Sequence, residues 1–265
     1  MKVIVALLLS LLASLPAPAQ PREASGCSTD IEAALRELNP KQPTPGNVAD
    51  ANCKPWPPSG GKVIAAVMAF EQGEAPERRW VGVLALLDTK TLKPLNSRRF
   101  ELAEDATTRV GEHSLRLDTA NYAVAPGVRA LGLRYSDSGP GPSAADESHS
   151  DELTLFVPEG RGLRPVFGMS MERARAVEGC LGSCPNAVWD TASFTVAIGP
   201  PGPKGWNDLR VTATVTRDGN VQTPNFDTTP RRYHLVYRYD GTGYRQEASQ
   251  LDWTDFCCTI ASMPR

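Results

Sequence analysis

The sequence predicts an all-β protein with one short N-terminal helix, and three observations support this fold class. First, short runs rich in Val, Leu and Tyr are each bounded by turn residues, as strands are; they cover residues 63–70, 80–87, 128–134, 153–157, 209–215 and 235–239. Second, the 265-residue chain holds 22 Gly and 23 Pro, a share typical of a loop-rich β domain and below that of disordered chains. Third, the strand pattern recurs along the chain at a nearly fixed interval.

The recurrence indicates about three four-stranded repeats. An offset of 81 residues relates a unit near 114–167 to a second unit near 195–247 without a gap. A third copy near 63–95 lacks its first strand, which residues 251–260 could supply. Antiparallel sheets built from such repeats would form a propeller- or prism-like array, and a β-sandwich without internal symmetry is the alternative. The aligned apolar pairs are Leu115 and Val196, Leu117 and Ile198, Val128 and Leu209, Ala130 and Val211, and Leu155 and Val236.

Similar hairpins close the three units. In each, an acidic residue begins the turn, and an apolar or aromatic residue re-enters the sheet four positions later. The pairs are Asp88 with Leu92, Glu159 with Leu163, and Asp240 with Tyr244.

Residues 1–19 have the layout of a secretory signal peptide. Lys2 gives a positive start, residues 3–15 form an apolar run, and small residues lead to a cleavage site after Ala19. The apolar run is too short to span a bilayer, and no other stretch reaches the ~18–20 residues that a transmembrane helix needs. The sequence therefore predicts an exported protein, periplasmic or secreted, with no transmembrane segment. A lipoprotein anchor at Cys27 is disfavoured, because charged residues separate that cysteine from the apolar run.

Two parts are predicted in the exported chain. Residues 20–61 are expected to form an N-terminal helix and a Pro-rich linker, ahead of an all-β domain over residues 62–265. Ser28 or Thr29 can cap the helix, whose apolar residues fall at helical spacing. Within the β domain, residues 169–178 have the residue types for one or two helical turns.

An even number of cysteines in an exported protein predicts disulfide bonds. The six residues are Cys27, Cys53, Cys180, Cys184, Cys257 and Cys258. Cys27 and Cys53 flank a short segment and are expected to pair. Cys180 and Cys184 can then pair with the two C-terminal cysteines; the alternative, a Cys180–Cys184 bond plus a bond between the adjacent cysteines, needs a strained peptide. A redox role for Cys180 and Cys184 is disfavoured, because their spacing is not Cys-x-x-Cys.

Charge and motifs exclude several functions. The 28 basic and 30 acidic side chains give a net charge of −2, which provides no basic field for nucleic acid or an anionic membrane. Motifs of serine hydrolases, zinc proteases and P-loop enzymes do not occur, so no catalytic residue, cofactor or metal ligand is predicted. The sequence pairs none of His113, His149 and His234 with a nucleophile, and we expect His113 and His234 at the surface.

Residues 146–152 form the densest polar cluster, with four carboxylates and His149. One interpretation is a divalent-cation site built from hard oxygens and one imidazole. The spacing fits no calcium loop, so a solvated acidic loop is favoured.

The aromatic residues could stack on sugars or contact a protein partner, but aromatic residues of a β domain more often fill its core, and we expect that here. They are Trp80, Trp189, Trp206, Trp253, Tyr122, Tyr135, Tyr233, Tyr237, Tyr239 and Tyr244.

Several stretches carry a family resemblance: Trp56-Pro57 and residues 117–122, 125–130, 153–157, 163–165, 197–200 and 239–241. They resemble a family of exported proteobacterial proteins of unassigned function, over most of the chain. Residues 208–211 and 237–241 are also similar to blades of FG-GAP-type β-propellers. Those blades carry Asp/Asn-rich calcium loops, whereas residues 199–206 offer no carboxylate cage here. The resemblance therefore implies a sheet architecture without a metal site.

These observations predict a disulfide-braced binding protein of the cell envelope that acts without catalysis. Its partner would be another envelope protein or a glycan. If the repeat holds, the loops 71–79, 136–152 and 217–233 emerge on one edge, with Phe226 and Arg231-Arg232 towards the acidic cluster. A hydrolase without a recognisable motif, or a structural envelope component, is the alternative. A cleft lined by histidines or carboxylates would favour the enzyme, and a flat aromatic edge would favour binding.

Overall fold

The computed structural model describes residues 27–39, 48–72, 79–102, 104, 109–137, 145–181, 184–219 and 227–247. Most of these residues lie in β-strands and one short helix precedes them, so the predicted all-β class is confirmed. The predicted signal peptide with Ala19, and Phe226, Trp253, Cys257 and Cys258, lie outside the described residues. Within the described ranges, no helix is long and apolar enough to cross a membrane.

The helix is α1 (Thr29–Glu37), and a single 3₁₀ turn follows at Pro57–Ser59. The strands of the described residues are β1 (Val48–Pro55), β2 (Val63–Gln72), β3 (Arg79–Asp88), β4 (Pro94–Leu102), β5 (Leu115–Ala125), β6 (Val128–Tyr135), β7 (Glu147–Glu159), β8 (Gly162–Glu178), β9 (Val188–Pro201), β10 (Asn207–Gly219), β11 (Arg231–Tyr239) and β12 (Tyr244–Gln246).

The strands pair in chain order as three antiparallel meanders, β1–β4, β5–β8 and β9–β12. Two further pairings join the meanders into one continuous, mostly antiparallel sheet. The long strand β8 forms a hairpin with β9, and β4 meets β8 in parallel at Ser97 and Gly162. The end strands of this order, β1 and β12, do not pair with each other in the described part.

Three hydrophobic clusters stack the helix and the meanders in layers. The first lies between α1 and β1–β3 and contains Leu35 and Met68. The second joins the first meander to the second, with Val67 on one side and Leu117 on the other. The third, which includes Phe167, lies between the second and third meanders. The middle meander is therefore covered on both faces.

The layering explains why residues 63–70 are apolar throughout. Ala66, Met68 and Phe70 belong to the cluster under the helix, whereas Ala65 and Val67 belong to the cluster shared with the second meander. Successive side chains of a strand point to opposite faces, so a strand buried on both faces is apolar throughout.

The predicted N-terminal helix is confirmed in α1. Ser28 caps it, since its hydroxyl accepts a hydrogen bond from the Ile31 N–H at 3.4 Å. Ile31 and Leu35 are buried on the first meander. The predicted Cys27–Cys53 disulfide is also present and fixes the start of the helix to β1.

The first meander has its own first strand, whereas the sequence predicted that residues 251–260 could supply it. Residues 48–55 fall in the predicted helix-and-linker segment 20–61, yet they form β1 and pair with β2, Cys53 lying opposite Ala66. The expectation that the unit near 63–95 lacks a first strand is wrong. Residues 251–260, the predicted substitute, lie outside the described residues.

The helical turns predicted over 169–178 are also wrong, because these residues complete β8. Their Met, Glu, Arg and Ala residues are good helix formers, but β8 pairs with β7 on one side and β9 on the other. Met169 and Met171 are buried in the third cluster, so tertiary packing overrides local propensity.

The residues that the 81-residue offset aligns lie in corresponding strands. Leu117 and Ile198 lie in the first strands of their meanders, β5 and β9, and Ala130 and Val211 lie in the second strands, β6 and β10. An internal sequence repeat remains a prediction.

The second disulfide of the described residues joins Cys180 to Cys184, just after β8. This is the pairing that the sequence left as the alternative, so the expected pairing of these two cysteines with Cys257 and Cys258 is wrong. A four-residue spacing closes a turn between β8 and β9 and needs no distant partner.

The two disulfides should differ in their effect on stability. The Cys27–Cys53 bond closes 26 residues and the Cys180–Cys184 bond closes 4, and loop-closure entropy grows with loop length. Replacing Cys27 and Cys53 by Ala should cost about 3.5 kcal/mol, and replacing Cys180 and Cys184 about 2 kcal/mol. Urea denaturation of both double variants measures the difference. Equal losses would contradict it.

Candidate functional site

Side chains of β1 bind the free edge of β5. Asp50 accepts a hydrogen bond from the Leu115 N–H at 2.6 Å, and Asn52 accepts one from the Leu117 N–H at 3.0 Å. Lys54 donates from Nζ to the Leu117 carbonyl at 3.0 Å. The three side chains alternate along β1 and therefore lie on one face of that strand. They occupy the place of a neighbouring strand and hold the first two meanders in register.

β5 leaves regular pairing just beyond these contacts. Asp118 lies opposite Gly132 and Tyr122 lies opposite Ala130, so three residues of β5 bulge outward over a single residue of β6. Gly132 makes room for this geometry, because a Cβ there would lie 2.8 Å from the Cβ of Asp118.

The carboxylate of Asp118 is fixed by three donors. Oδ1 accepts from the Ala120 N–H at 3.0 Å, and Oδ2 accepts from the Tyr122 hydroxyl at 3.0 Å and from Arg134 Nε at 3.1 Å. Burial alone would raise the pKa of Asp118, but these hydrogen bonds outweigh it and the pKa is lowered. Burial and the adjacent Asp118 charge raise the pKa of Tyr122 well above its ordinary value. At neutral pH Asp118 is therefore ionised and Tyr122 is neutral.

A second carboxylate, Asp151 of β7, completes a charge network. Arg134 donates from Nη1 to Asp151, and Arg116 Nη2 lies 3.2 Å from the same carboxylate. The Arg134 side chain is 20% exposed, whereas that of Arg116 is 58% exposed. Asp151 has a positive φ of 53°, a backbone conformation that non-glycine residues rarely adopt. Irregular backbone on both β5 and β7 thus directs two carboxylates to one arginine.

An open cleft of about 510 Å³ lies over this network. Its wall contains three cations and one carboxylate; the lining residues are Lys54, Arg116, Leu117, Asp118, Thr119, Ala120 and Arg134. A fourth cation supports the rim, because Arg129 donates to the Thr119 carbonyl at 2.7 Å and lies over the Trp56 ring. This cleft is the candidate functional site.

The three histidines do not line this cleft. The side chain of His113 is 76% exposed beside Glu112, which agrees with the predicted surface position. His234 is also exposed, as predicted, with Nδ1 3.3 Å from the Thr212 hydroxyl. His149 lies 3.8 Å from Glu147, and burial lowers its pKa.

The acidic cluster 146–152 is not a loop. Its residues from Glu147 onward form the start of β7, so the expectation of a solvated loop is wrong for them. Asp151 binds arginines of the cleft, and Glu147 contacts His149. Among the described residues no group of three His, Cys, Asp or Glu side chains could hold a metal ion.

The expected aromatic core is confirmed for most of these residues. Trp80, Tyr122, Tyr237 and Tyr244 are buried, and Tyr135, Trp206, Tyr233 and Tyr239 are half-buried against a hydrophobic cluster. Trp206 stacks on Tyr239 with ring centroids 4.0 Å apart, so the two rings cover each other. Trp189 is half-buried in β9.

Arg231 binds Asp190 of β9, at 2.8 Å. The placement of Arg231 and Arg232 towards the acidic cluster stays a prediction. Arg217 forms two further bonds to the same carboxylate, at 2.7 and 2.9 Å. Burial raises the pKa of Asp190, but the hydrogen bonds from the two arginines outweigh this effect and lower it. Because Arg217 of β10 and Arg231 of β11 both bind this carboxylate of β9, the cluster braces β9–β11.

Sequence reasoning missed Lys54, Arg116, Asp118 and Arg134. The sequence does contain a pattern that points to these strands: polar residues alternate with apolar or small ones at 50, 52 and 54 and again at 116 and 118. Alternation predicts a strand with one polar face, but it does not reveal that two such faces meet.

Comparison with known proteins adds no identity. No family model, curated protein or solved structure matches the chain.

Glu152 should make stability depend on pH. It lies between Tyr135 and Ser170 in the sheet register, and burial raises its pKa from 4.5 to about 7. Between these two values the folded protein holds a proton that the unfolded chain has released, so stability falls as pH rises through the window. Glu152→Gln should therefore raise stability at pH 8 by about 2 kcal/mol relative to wild type, and leave it unchanged at pH 4.

Urea denaturation at both pH values measures this effect. Glu101→Gln, at an exposed position of β4, is the matched control and should behave as wild type. The same pH dependence in Glu152→Gln and wild type would refute the assignment.

The two arginines of the network should differ in their contribution to stability. Arg134→Gln leaves two partly buried carboxylates without their common partner and should cost about 3 kcal/mol. Arg116→Gln removes one exposed contact and should cost less than about 1 kcal/mol. Thermal and urea unfolding of both variants compare them; similar losses would show that Arg134 does not hold the network together.

Proposed function

We propose that the protein is an exported, disulfide-braced, non-catalytic binding protein of the cell envelope, and that its contact site is the cleft at the β5 bulge. The observation that carries the proposal is that the cleft has cationic walls and that three donors hold its carboxylate in the ionised form. Asp118 accepts hydrogen bonds from Ala120, Tyr122 and Arg134 and is ionised, so it has no proton to donate to a substrate.

Export is supported by two kinds of observation. The N-terminal residues have the layout of a signal peptide. The Cys27–Cys53 and Cys180–Cys184 bonds are typical of proteins that mature in an oxidising compartment. We assign the protein to the periplasm or the exterior on these grounds.

The geometry favours binding over hydrolysis. Glu152 has a pKa of about 7, which would suit a general acid, but within the described residues no side chain hydrogen-bonds to it and it does not line the cleft. The cleft is shallow and open, a shape that suits contact with a group displayed by a larger partner, such as an envelope protein or a glycan.

Capture from an envelope extract of the protein's own cell tests the proposal. The oxidised chain is the bait, Arg116→Glu reverses one charge in the cleft, and Arg99→Glu makes the same change on the exposed face of β4. We expect wild type and Arg99→Glu to capture one specific partner in equal amounts. Arg116→Glu should capture at least tenfold less of it. No partner, or capture that is insensitive to Arg116, would contradict the proposed site.

A further inference from the structure

The cleft carries an excess of positive charge on the side that faces solvent. Lys54, Arg116 and Arg134 contribute three positive charges, and Asp118 and Asp151 contribute two negative ones. Both carboxylates contact Arg134, whose side chain is 20% exposed, and Arg116 also contacts Asp151. Arg134 offsets one of the two negative charges, so Lys54 and Arg116 together supply the net charge of +1 that remains.

These two cations are also positioned before any ligand arrives. Lys54 Nζ is held by the Leu117 carbonyl at 3.0 Å, which occupies one of its three N–H groups. Arg116 touches Asp151 through one nitrogen at 3.2 Å, and its side chain is 58% exposed, which leaves donors directed to solvent. The Asp50 and Asn52 contacts fix β1 to β5, so the main chain holds Lys54 and Arg116 beside the same cleft.

We propose, on the basis of the proposed function, that the cleft binds an oxyanion, a carboxylate or phosphate group, between Lys54 and Arg116. An arginine fork and an ammonium are the donors that match oxyanions in proteins. Arg134 is a positioning residue that holds Asp118 and Asp151 and offsets part of their charge, since without it two carboxylates would repel an anion from the same cleft.

The apolar surface does not offer a competing mode of recognition. Among the described residues, the exposed large apolar side chains are Leu95 on β4 and Val177 on β8, and neither lines the cleft. Strand addition at the cleft is also disfavoured, because β5 bulges there and β1 side chains already occupy its edge groups. Charge is the recognition chemistry that remains.

Titrations with inorganic phosphate, with glucuronate and with uncharged glucose test the inference. The readout is the backbone amide NMR shifts of residues 116–120 in the oxidised protein. We expect saturable shifts with phosphate or glucuronate, a dissociation constant of about 1 mM, and no shift with glucose. The anion that binds more tightly identifies the source, phosphate ester or uronate. Binding of either anion should weaken when salt is added.

The matched variants distinguish anion binding in the cleft from anion binding to surface charge in general. Lys54→Met combined with Arg116→Gln should weaken binding at least tenfold, whereas Lys62→Met combined with Arg99→Gln, the same changes at exposed positions, should leave it unchanged. Absence of saturable shifts, or equal weakening in both double variants, would overturn the inference. If capture of a partner still depends on Arg116 while neither anion binds, the proposed function stands and the oxyanion assignment fails.

Discussion

The contact on which the rest of the structure depends is the line of β1 side chains along the free edge of β5. A buried edge strand leaves main-chain groups without partners, and each such group costs about 1–3 kcal/mol when it is unsatisfied. Asp50 and Asn52 accept from the N–H groups of Leu115 and Leu117, and Lys54 donates to the Leu117 carbonyl. The same three bonds set how the first meander lies on the second, so they fix the hydrophobic cluster between them and also place the Lys54 ammonium over the cleft.

Beyond these contacts, the cleft exists because two strands depart from regular geometry. The bulge of β5 turns Asp118 towards Arg134, and the left-handed backbone of Asp151 turns a second carboxylate to the same guanidinium. Such irregularities cost free energy, and the ion pairs they create offset part of that cost. The result is a set of charges held in place by hydrogen bonds and ion pairs, which suits recognition by charge complementarity.

The sequence predicted the parts of the fold that depend on local pattern. The apolar runs became β2, β3, β6, β7, β10 and β11, Ser28 capped the helix, and Cys27 paired with Cys53. It failed at β1, where polar residues alternate with small residues beside prolines and the strand signal is weak, and at β8, where helix-forming residues lie in a strand. In both places the strand forms because a neighbouring strand is there to pair with it, and pairing across the sheet is not a property of the local residues.

The sequence by itself determined an all-β fold, its helix and the identity of its first disulfide, because period-two burial, capping and close cysteine spacing act over a few residues or tens of residues. Only the tertiary structure decided that Cys180 bonds to Cys184, that the acidic segment belongs to β7, and that Lys54, Arg116, Asp118 and Arg134 share one cleft. Lys54 and Arg134 are far apart along the chain and come together through the docking of one meander on another. The charge of a site depends on which side chains meet in space, and that meeting is set by the packing of whole sheets.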